Sequence, residues 1–100
     1  MNLPSTTFVL CDFGTEFQPD MAFVETPVGF TVEDAFKAIL DGQYHSPRGV
    51  YRLTDGAWHD HSKIVAEQLC CLPDELLSKS AKDFINYCGM DWREYREAAE

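Results

Sequence analysis

Apolar residues recur at three- and four-residue steps between residues 31 and 42, which predicts an amphipathic helix. The apolar positions are Val32, Ala35, Phe36, Ile39 and Leu40. Thr31 is suited to be the N-cap, and the carboxylates of Glu33 and Asp34 would lie in the first turn, where the helix dipole favours negative charge. Gly42 is predicted to end the helix, because glycine readily adopts the left-handed conformation that follows a C-terminus.

Two short β-prone runs, residues 49–54 and 57–60, flank the dipeptide Asp55-Gly56. A type I′ turn needs positive φ at both central residues, and Asp-Gly meets that need. The pattern therefore predicts a tight β-hairpin, and the helix and this hairpin together form the part of the chain around which the rest is expected to pack.

The N-terminal part of the chain predicts two further strands. Residues 6–12 are β-branched and aromatic, and they are apolar on both faces through the middle of the run. This pattern favours a central strand that is covered on both sides, or on one side with a partner on the other. Residues 21–26 form the second predicted strand, after a loop that carries Phe13 and Phe17.

Helical periodicity returns after the hairpin. Ser62 is predicted to cap a second helix with Val65, Leu69 and Leu72 on one side. Pro73 is predicted to end it and to stand at the first position of a third helix, which Gly89 ends. The inward stripe of that third helix comprises Leu77, Ala81, Phe84, Ile85 and Cys88.

A last short helix is predicted to run from Asp91 through Ala99, with Trp92 and Tyr95 on one of its faces. The predicted order is then β-β-α-β-β-α-α-α. Consecutive hairpins favour antiparallel pairing. We therefore expect an α+β fold in one domain over residues 1–100, with a small antiparallel sheet of three to four strands and the helices packed on one face.

Composition narrows the classes of function. Seventeen acids against eight bases give a formal net charge of −9, while 45% of the residues are hydrophobic, as in a folded protein. Such a charge argues against direct binding of nucleic acid through phosphates and against an anionic membrane surface. No apolar run approaches the length of a membrane span, and the N-terminus lacks signal-peptide regions, so we expect a cytoplasmic protein.

Candidate catalytic chemistry is sparse. The imidazoles are His45, His59 and His61, and the thiols are Cys11, Cys70, Cys71 and Cys88. A His-x-His pair can hold a divalent metal when further ligands converge, but a polar strand end explains residues 59–61 as well. No two cysteines have CxxC spacing, and the sequence has no phosphate-binding glycine loop or nucleophile elbow. We therefore expect neither catalysis nor a cofactor, with a His/Cys metal protein or enzyme as the less favoured alternative.

Negative charge is concentrated in the first half of the chain. Residues 1–47 contain seven acids and a single base, Lys37. The acids are Asp12, Glu16, Asp20, Glu25, Glu33, Asp34 and Asp41. If folding gathers them on one face, that face would bind a basic site on another protein, with Phe17 as an apolar anchor. The alternative is that these carboxylates are scattered and solvated.

In size and charge the chain resembles the small acidic inhibitors that phages and mobile elements make against host defences, such as anti-restriction and anti-CRISPR proteins. The resemblance implies a mimic of nucleic acid whose carboxylates occupy a basic, nucleic-acid-binding groove of a host protein. The leading hypothesis is thus a non-catalytic protein-binding module of this kind. The alternative is apolar docking through Phe17, Trp92 and Tyr95, onto a partner or in a homodimer.

Overall fold

A computed structural model describes residues 5–15 and 17–89. Its elements are β1 (Thr6–Asp12), β2 (Met21–Val24), α1 (Val32–Leu40), β3 (Pro47–Thr54), β4 (Ala57–Asp60), α2 (Ser62–Cys70), a 3₁₀ turn (Asp74–Leu76) and α3 (Lys79–Tyr87). The order of the first seven predicted elements is confirmed. The predicted last helix with Trp92 and Tyr95, and also Glu16, lies outside the described residues.

The four strands form one antiparallel sheet in the order β2-β1-β3-β4, so the predicted α+β class is confirmed. The central strands β1 and β3 pair from Thr6 with Leu53 to Leu10 with Gly49. The register then shifts, because Cys11 pairs with Pro47 and leaves Arg48 as an extra residue in β3. This is a β-bulge, which bends and twists the strand that carries it.

The three helices lie on one side of the sheet, as predicted. Thr7, Val9 and Cys11 alternate with partly exposed neighbours along β1 and are fully buried, so they face the helices. The core beneath them is largely aliphatic. Its other buried members are Ala35, Ile39, Val50, Val65, Ala66, Leu69, Cys70, Leu77, Ala81, Phe84 and Ile85.

Helix α1 begins and ends as the sequence predicts. The Thr31 hydroxyl accepts a hydrogen bond from the Asp34 N–H at 3.0 Å, and the Asp34 carboxylate accepts one from the Thr31 N–H at 3.0 Å. These reciprocal bonds satisfy two backbone donors that the first turn of a helix leaves unpaired. The C-terminus is followed by Gly42 with φ of 75°.

The predicted hairpin turn is confirmed by its backbone angles. Asp55 has φ of 52° and Gly56 has φ of 79°, as a type I′ turn requires. The strands that it joins, β3 and β4, pair from Thr54 with Ala57 to Tyr51 with Asp60.

Two predicted helix starts were wrong. The N-cap of α2 is His61, whose side chain makes no capping bond, and Ser62 is already helical. The Ser62 hydroxyl instead accepts a hydrogen bond from the Val50 N–H at 2.9 Å, so it joins α2 to β3. The Ser62 hydroxyl therefore bonds the sheet, rather than capping α2 as the sequence predicts.

The third helix begins later than the position after Pro73. Residues 74–76 form a separate 3₁₀ turn, and Ser78 is the N-cap of α3. The Ser78 hydroxyl accepts a hydrogen bond from the Ala81 N–H at 3.1 Å and donates one to the Ile39 carbonyl at 3.1 Å. One hydroxyl therefore caps α3 and fastens it to the last turn of α1.

The bulge residue Arg48 connects the sheet to α3. Its guanidinium donates to the Asp83 carboxylate at 2.7 Å and lies 4.7 Å from the centroid of the Tyr87 ring. Because the Arg48 side chain is mostly shielded from solvent, this pair is screened less than an ordinary surface ion pair.

Candidate functional site

The side of the sheet opposite the helices is here called the open face. By strand register it carries Thr6, Phe8, Leu10 and Asp12 of β1, Met21 and Phe23 of β2, Gly49, Tyr51 and Leu53 of β3, and Trp58 and Asp60 of β4. Most of these side chains are apolar. The alternation of β1 between buried and partly exposed residues shows that the helices cover only the other side.

Four aromatic rings from the four strands cluster on the open face. The rings of Phe23 and Trp58 stack with centroids 5.4 Å apart and an angle of 11° between their planes. Phe8 lies 5.6 Å from Trp58 and 6.2 Å from Phe23, and Tyr51 meets Phe23 edge-on at 5.8 Å. Distances and angles of this kind are favourable for aromatic pairs, beyond the area that the rings bury.

The stacked pair spans the width of the open face. Phe23 and Trp58 belong to the two edge strands, whose backbones are separated by three strand spacings, or about 14 Å. Their rings nevertheless touch, so both side chains lean inward over the central strands and partly cover Phe8.

Gly49 provides the space for one of the rings. A Cβ atom at this position would lie 2.5 Å from Cε2 of Tyr51, which is closer than such atoms approach each other. The Tyr51 ring therefore occupies the space that a side chain at residue 49 would need. Burial of the Tyr51 hydroxyl raises its pKa, and the nearby Asp60 carboxylate raises it further.

The cluster stays open to solvent on its outer side. Phe23 is 48% exposed, Trp58 52% and Met21 40%. Single exposed apolar residues are ordinary on protein surfaces, but a contiguous group of large apolar side chains is typical of an interaction site.

The charge of the open face is negative. Asp12 and Asp60 lie at its margins, and none of the face positions in the four described strands is Lys, Arg or His. The Asp12 carboxylate accepts hydrogen bonds at 2.9 Å from the N–H groups of Asp20 and Gly14, which lower its pKa. It therefore stays ionised over the physiological pH range.

The predicted acidic residues do not all come together. Asp12 and Asp20 are neighbours, whereas Asp41 lies at the C-cap of α1 and Glu33 in its first turn. The ends of this nine-residue helix are about 13 Å apart. Glu25, exposed, follows β2.

Two of the carboxylates on α1 have partners within the protein. Glu33 pairs with Lys37 at 3.4 Å. The Asp34 carboxylate caps the helix through the Thr31 N–H, a hydrogen bond that lowers its pKa. Both groups remain at the surface, but they help to hold α1 as well as contributing negative charge.

Of the predicted apolar anchors, Phe17 is 93% exposed in the loop between β1 and β2. Trp92 and Tyr95 lie outside the described residues. Sequence reasoning missed Phe23 and Trp58 as site residues. The available signal was the β1 pattern, apolar on both faces, together with one aromatic residue in each of the two edge strands.

The structure gives little support to thiol or metal chemistry. Burial raises the pKa of both Cys11 and Cys88 to about 11, so these thiols are protonated near neutral pH and poorly nucleophilic. His45 stacks on Phe13 with centroids 6.4 Å apart. In residues 5–15 and 17–89, no group of three or more His, Cys, Asp or Glu side chains could hold a metal ion.

Comparison of the chain with protein-family models, curated proteins and solved structures finds no match. None of the helices in the described part of the chain has the length and apolar character that crossing a membrane requires.

Proposed function

We propose that this protein is a non-catalytic binding module that docks onto another protein through the open face of its sheet. The observation that carries the proposal is the cluster of four aromatic rings, the outer two of which are about half exposed. Aromatic residues dominate the energetics of protein interfaces because they bury a large area at a small cost in side-chain entropy.

Covering the two exposed rings would supply a substantial part of the binding free energy. Covering the exposed halves of Phe23 and Trp58 would remove on the order of 200 Å² of apolar surface from water. At ~25 cal/mol per Å² this contributes about 5 kcal/mol, before the entropic cost of association. The rings already hold one another in place, so little of this gain is lost to ordering them on binding.

Charge favours a basic partner. The net charge is −9, and Asp12 and Asp60 lie at the margins of the aromatic cluster. The complementary surface has apolar side chains at its centre and Lys or Arg around them, an arrangement that speeds encounter and excludes acidic competitors. A nucleic acid fits less well, because its phosphates would approach the carboxylates of Asp12 and Asp60.

The narrower form of the proposal is that the partner is a nucleic-acid-binding protein of a host, inhibited when the acidic module occupies its basic groove. The charge of residues 1–47 and the proximity of Asp12 to Asp20 support this form. Glu33 pairs with Lys37 and Asp34 caps α1, so these carboxylates already have partners within the protein. Docking through the aromatic rings is therefore the better supported form of the proposal.

We place this function in the cytoplasm. Cys11 and Cys88 are free thiols in the structure. Free thiols such as these support a reducing compartment, where disulfides are rare.

The test is affinity capture of a partner by the wild-type chain and by Trp58→Ala and Phe23→Ala, each at low and at high salt. We expect both substitutions to abolish capture, while the control Leu76→Ala, which removes an exposed apolar side chain outside the open face, retains it. Capture that survives both open-face substitutions would refute docking through this surface.

Salt separates the two forms of the proposal. If the aromatic cluster supplies most of the energy, 0.5 M salt weakens capture only modestly, whereas a nucleic-acid mimic loses its partner steeply. Reversal of Asp12 and Asp20 to Lys would likewise abolish binding by a mimic and only reduce binding through the rings.

A further inference from the structure

A cavity of about 380 Å³, here called the α1 pocket, lies between the sheet and the N-terminus of α1. The sheet contributes Thr7 of β1 and Arg52 of β3, which are paired across the two central strands on the helix side. The helix end contributes Phe30, Val32 and Glu33. The volume is within the range of small-molecule pockets, roughly 300–1,000 Å³. Because the α1 pocket is on the opposite side of the sheet from the open face, it is independent of the proposed function.

Two buried polar atoms at the α1 pocket lack a partner. Thr7 is fully buried, and its Oγ1 atom makes no hydrogen bond with any residue that the structure describes. The Nε atom of Arg52 is likewise buried and unpartnered, and no described carboxylate forms an ion pair with Arg52. Buried polar atoms in folded proteins nearly always have a hydrogen-bond partner, so two exceptions at one cavity indicate that a ligand supplies it.

Further unpaired donors come from the first turn of α1. The capping box accounts for the N–H groups of Thr31 and Asp34. The N–H groups of Val32 and Glu33 donate to none of the described residues. First-turn N–H groups point out of the helix end, where the helix dipole is positive. The sheet and the helix thus offer hydrogen-bond donors to the same cavity, and an anion can accept from both.

We propose that the α1 pocket binds a carboxylate group carried on a small apolar body, either a free organic acid or the C-terminal residue of a peptide. The Nε–H of Arg52 and the adjacent Nη–H form two parallel donors, which match the two oxygens of a carboxylate. The Thr7 hydroxyl and the end of α1 supply the remaining donors. The partly buried side chains of Phe30 and Val32 offer apolar contact to the rest of the ligand.

The charge of the protein favours a carboxylate over a phosphate. One guanidinium at the α1 pocket balances one negative charge, whereas a phosphate monoester would bring roughly −1.5 to −2 to a chain whose net charge is −9. Two carboxylates in the first turn of α1 lie nearby, but both have partners. Glu33 pairs with Lys37 at 3.4 Å. Asp34 accepts from the Thr31 N–H at 3.0 Å. These carboxylates repel a dianion more than a single charge.

The direct test is a titration of the ¹⁵N-labelled full-length chain with sodium benzoate, followed by NMR. We expect saturable binding with a dissociation constant on the order of 1 mM or below. The largest shifts should fall on the backbone amides of Thr7, Val32 and Glu33. Failure to saturate, or shifts confined to other parts of the chain, would overturn the proposal.

Arg52→Gln should weaken benzoate binding at least about tenfold, because the charged pair of donors is lost. Arg52→Lys keeps the charge but not the paired donors, so it should restore the affinity only in part. The matched control is Lys63→Gln, which removes an exposed base from the first turn of α2 and should leave the affinity unchanged. Equal losses in Arg52→Gln and Lys63→Gln would refute the site, since net charge alone would explain them.

Thr7→Val tests the buried hydroxyl. Valine has nearly the same shape, and the hydroxyl has no described partner to lose, so the free protein should be at least as stable in urea. Benzoate affinity should nevertheless fall about tenfold, because one donor to the anion is gone. A variant that is destabilised in urea, or that binds benzoate as tightly as the wild type, would contradict the role assigned to Thr7.

Other small molecules define the ligand. Neutral benzamide should not compete with benzoate, and inorganic phosphate should bind more weakly. Tighter binding of phosphate would overturn the choice of a carboxylate. N-acetylphenylalanine carries its carboxylate on a peptide-like body, so a preference for it over benzoate supports a peptide C-terminus as the source. The opposite preference supports a free acid.

The α1 pocket and the open face can be tested separately. Trp58→Ala should leave benzoate binding unchanged, and Arg52→Gln should leave capture of a partner unchanged. Absence of benzoate binding would therefore refute this inference alone. Capture that survives the open-face substitutions would refute the proposed function alone.

Discussion

The two sides of the sheet are both apolar but differ in what covers them. On one side Thr7, Val9 and Cys11 are fully buried beneath three helices. On the other side Phe8 and Leu10, which alternate with them along β1, are only partly buried. Apolar character in a strand therefore indicates that a side will be covered, but it does not identify the covering element.

The two sides also use different kinds of side chain. The core between the sheet and the helices is built mainly from Val, Ile, Leu, Ala and Cys, while the open face gathers four aromatic rings. Branched aliphatic side chains interdigitate with helices at close range. Aromatic rings stabilise one another in a shallow layer and still expose a broad apolar surface, as a binding site requires.

The largest expected effect concerns the helix-covered side. Replacement of Phe84 by Ala removes a fully buried ring of α3 and should lower the free energy of unfolding by about 3–5 kcal/mol. Urea denaturation followed by circular dichroism measures it. The control is Phe17→Ala, expected to change stability by less than about 0.5 kcal/mol because this ring is exposed. Similar losses of stability in the two variants would contradict the assignment of Phe84 to the core and of Phe17 to the surface.

A second prediction examines how closely the rings of the open face are packed. Gly49→Ala would place a methyl group against the Tyr51 ring and should cost about 1–3 kcal/mol. If the clash is the cause, Tyr51→Ala should relieve most of it, so that the double variant is more stable than the two single losses predict. Strict additivity would show that residue 49 is constrained for another reason.

A smaller loss of stability is expected from replacing Trp58, the most exposed ring of the open face. Trp58→Ala should lower stability by about 1–2 kcal/mol, since the ring is half exposed and loses its contacts with Phe23 and Phe8. The same urea titration measures it, while capture of a partner should be lost altogether. A loss as large as that of Phe84→Ala would mean that the open face is a second core rather than a binding surface.

The smallest effect is a change in acid sensitivity at the margin of the open face. Hydrogen bonds from the N–H groups of Asp20 and Gly14 lower the pKa of Asp12 below its ordinary value of 3.8. A lowered folded-state pKa contributes stability above pH 3.8, and this contribution is lost as the pH falls through the folded-state value.

Asp12→Asn keeps an oxygen acceptor but cannot titrate. We expect it to flatten the fall in urea midpoint below about pH 4 while changing stability at pH 7 only slightly. Asp12→Ala is the comparison, because it loses both hydrogen bonds and should be less stable at every pH. An unchanged acid limb in the Asn variant would show that Asp12 does not contribute to it.

Local features were predictable from the sequence because their causes are local. The capping box at Thr31 and the turn at Asp55-Gly56 depend on residues within four positions of one another. Ser62 and Pro73 misled because the deciding contacts are distant in sequence: Ser62 bonds Val50, and Ser78 bonds Ile39. A local sequence pattern contains no information about such long-range hydrogen bonds, which override local preferences.

The candidate site was predictable only in part. Net charge and the two-sided apolar pattern of β1 are properties of the sequence and indicated an acidic module with a partner-covered strand. The stacking of Phe23 on Trp58 joins residues 35 positions apart on opposite edges of the sheet, and it depends on strand order. The sequence did not determine strand order, so these two rings could not be paired in advance.

The extra residue in β3 limits how the length of this chain can vary. Because Arg48 is left out of the pairing, both Pro47 and Val50 lie on the helix side although they are three positions apart. Deletion of one residue at this point would turn Pro47 toward the aromatic rings. It would also break the bond between Arg48 and Asp83 that joins the sheet to α3. We therefore expect the fold to tolerate insertions and deletions in the loop between β1 and β2, but not at the start of β3.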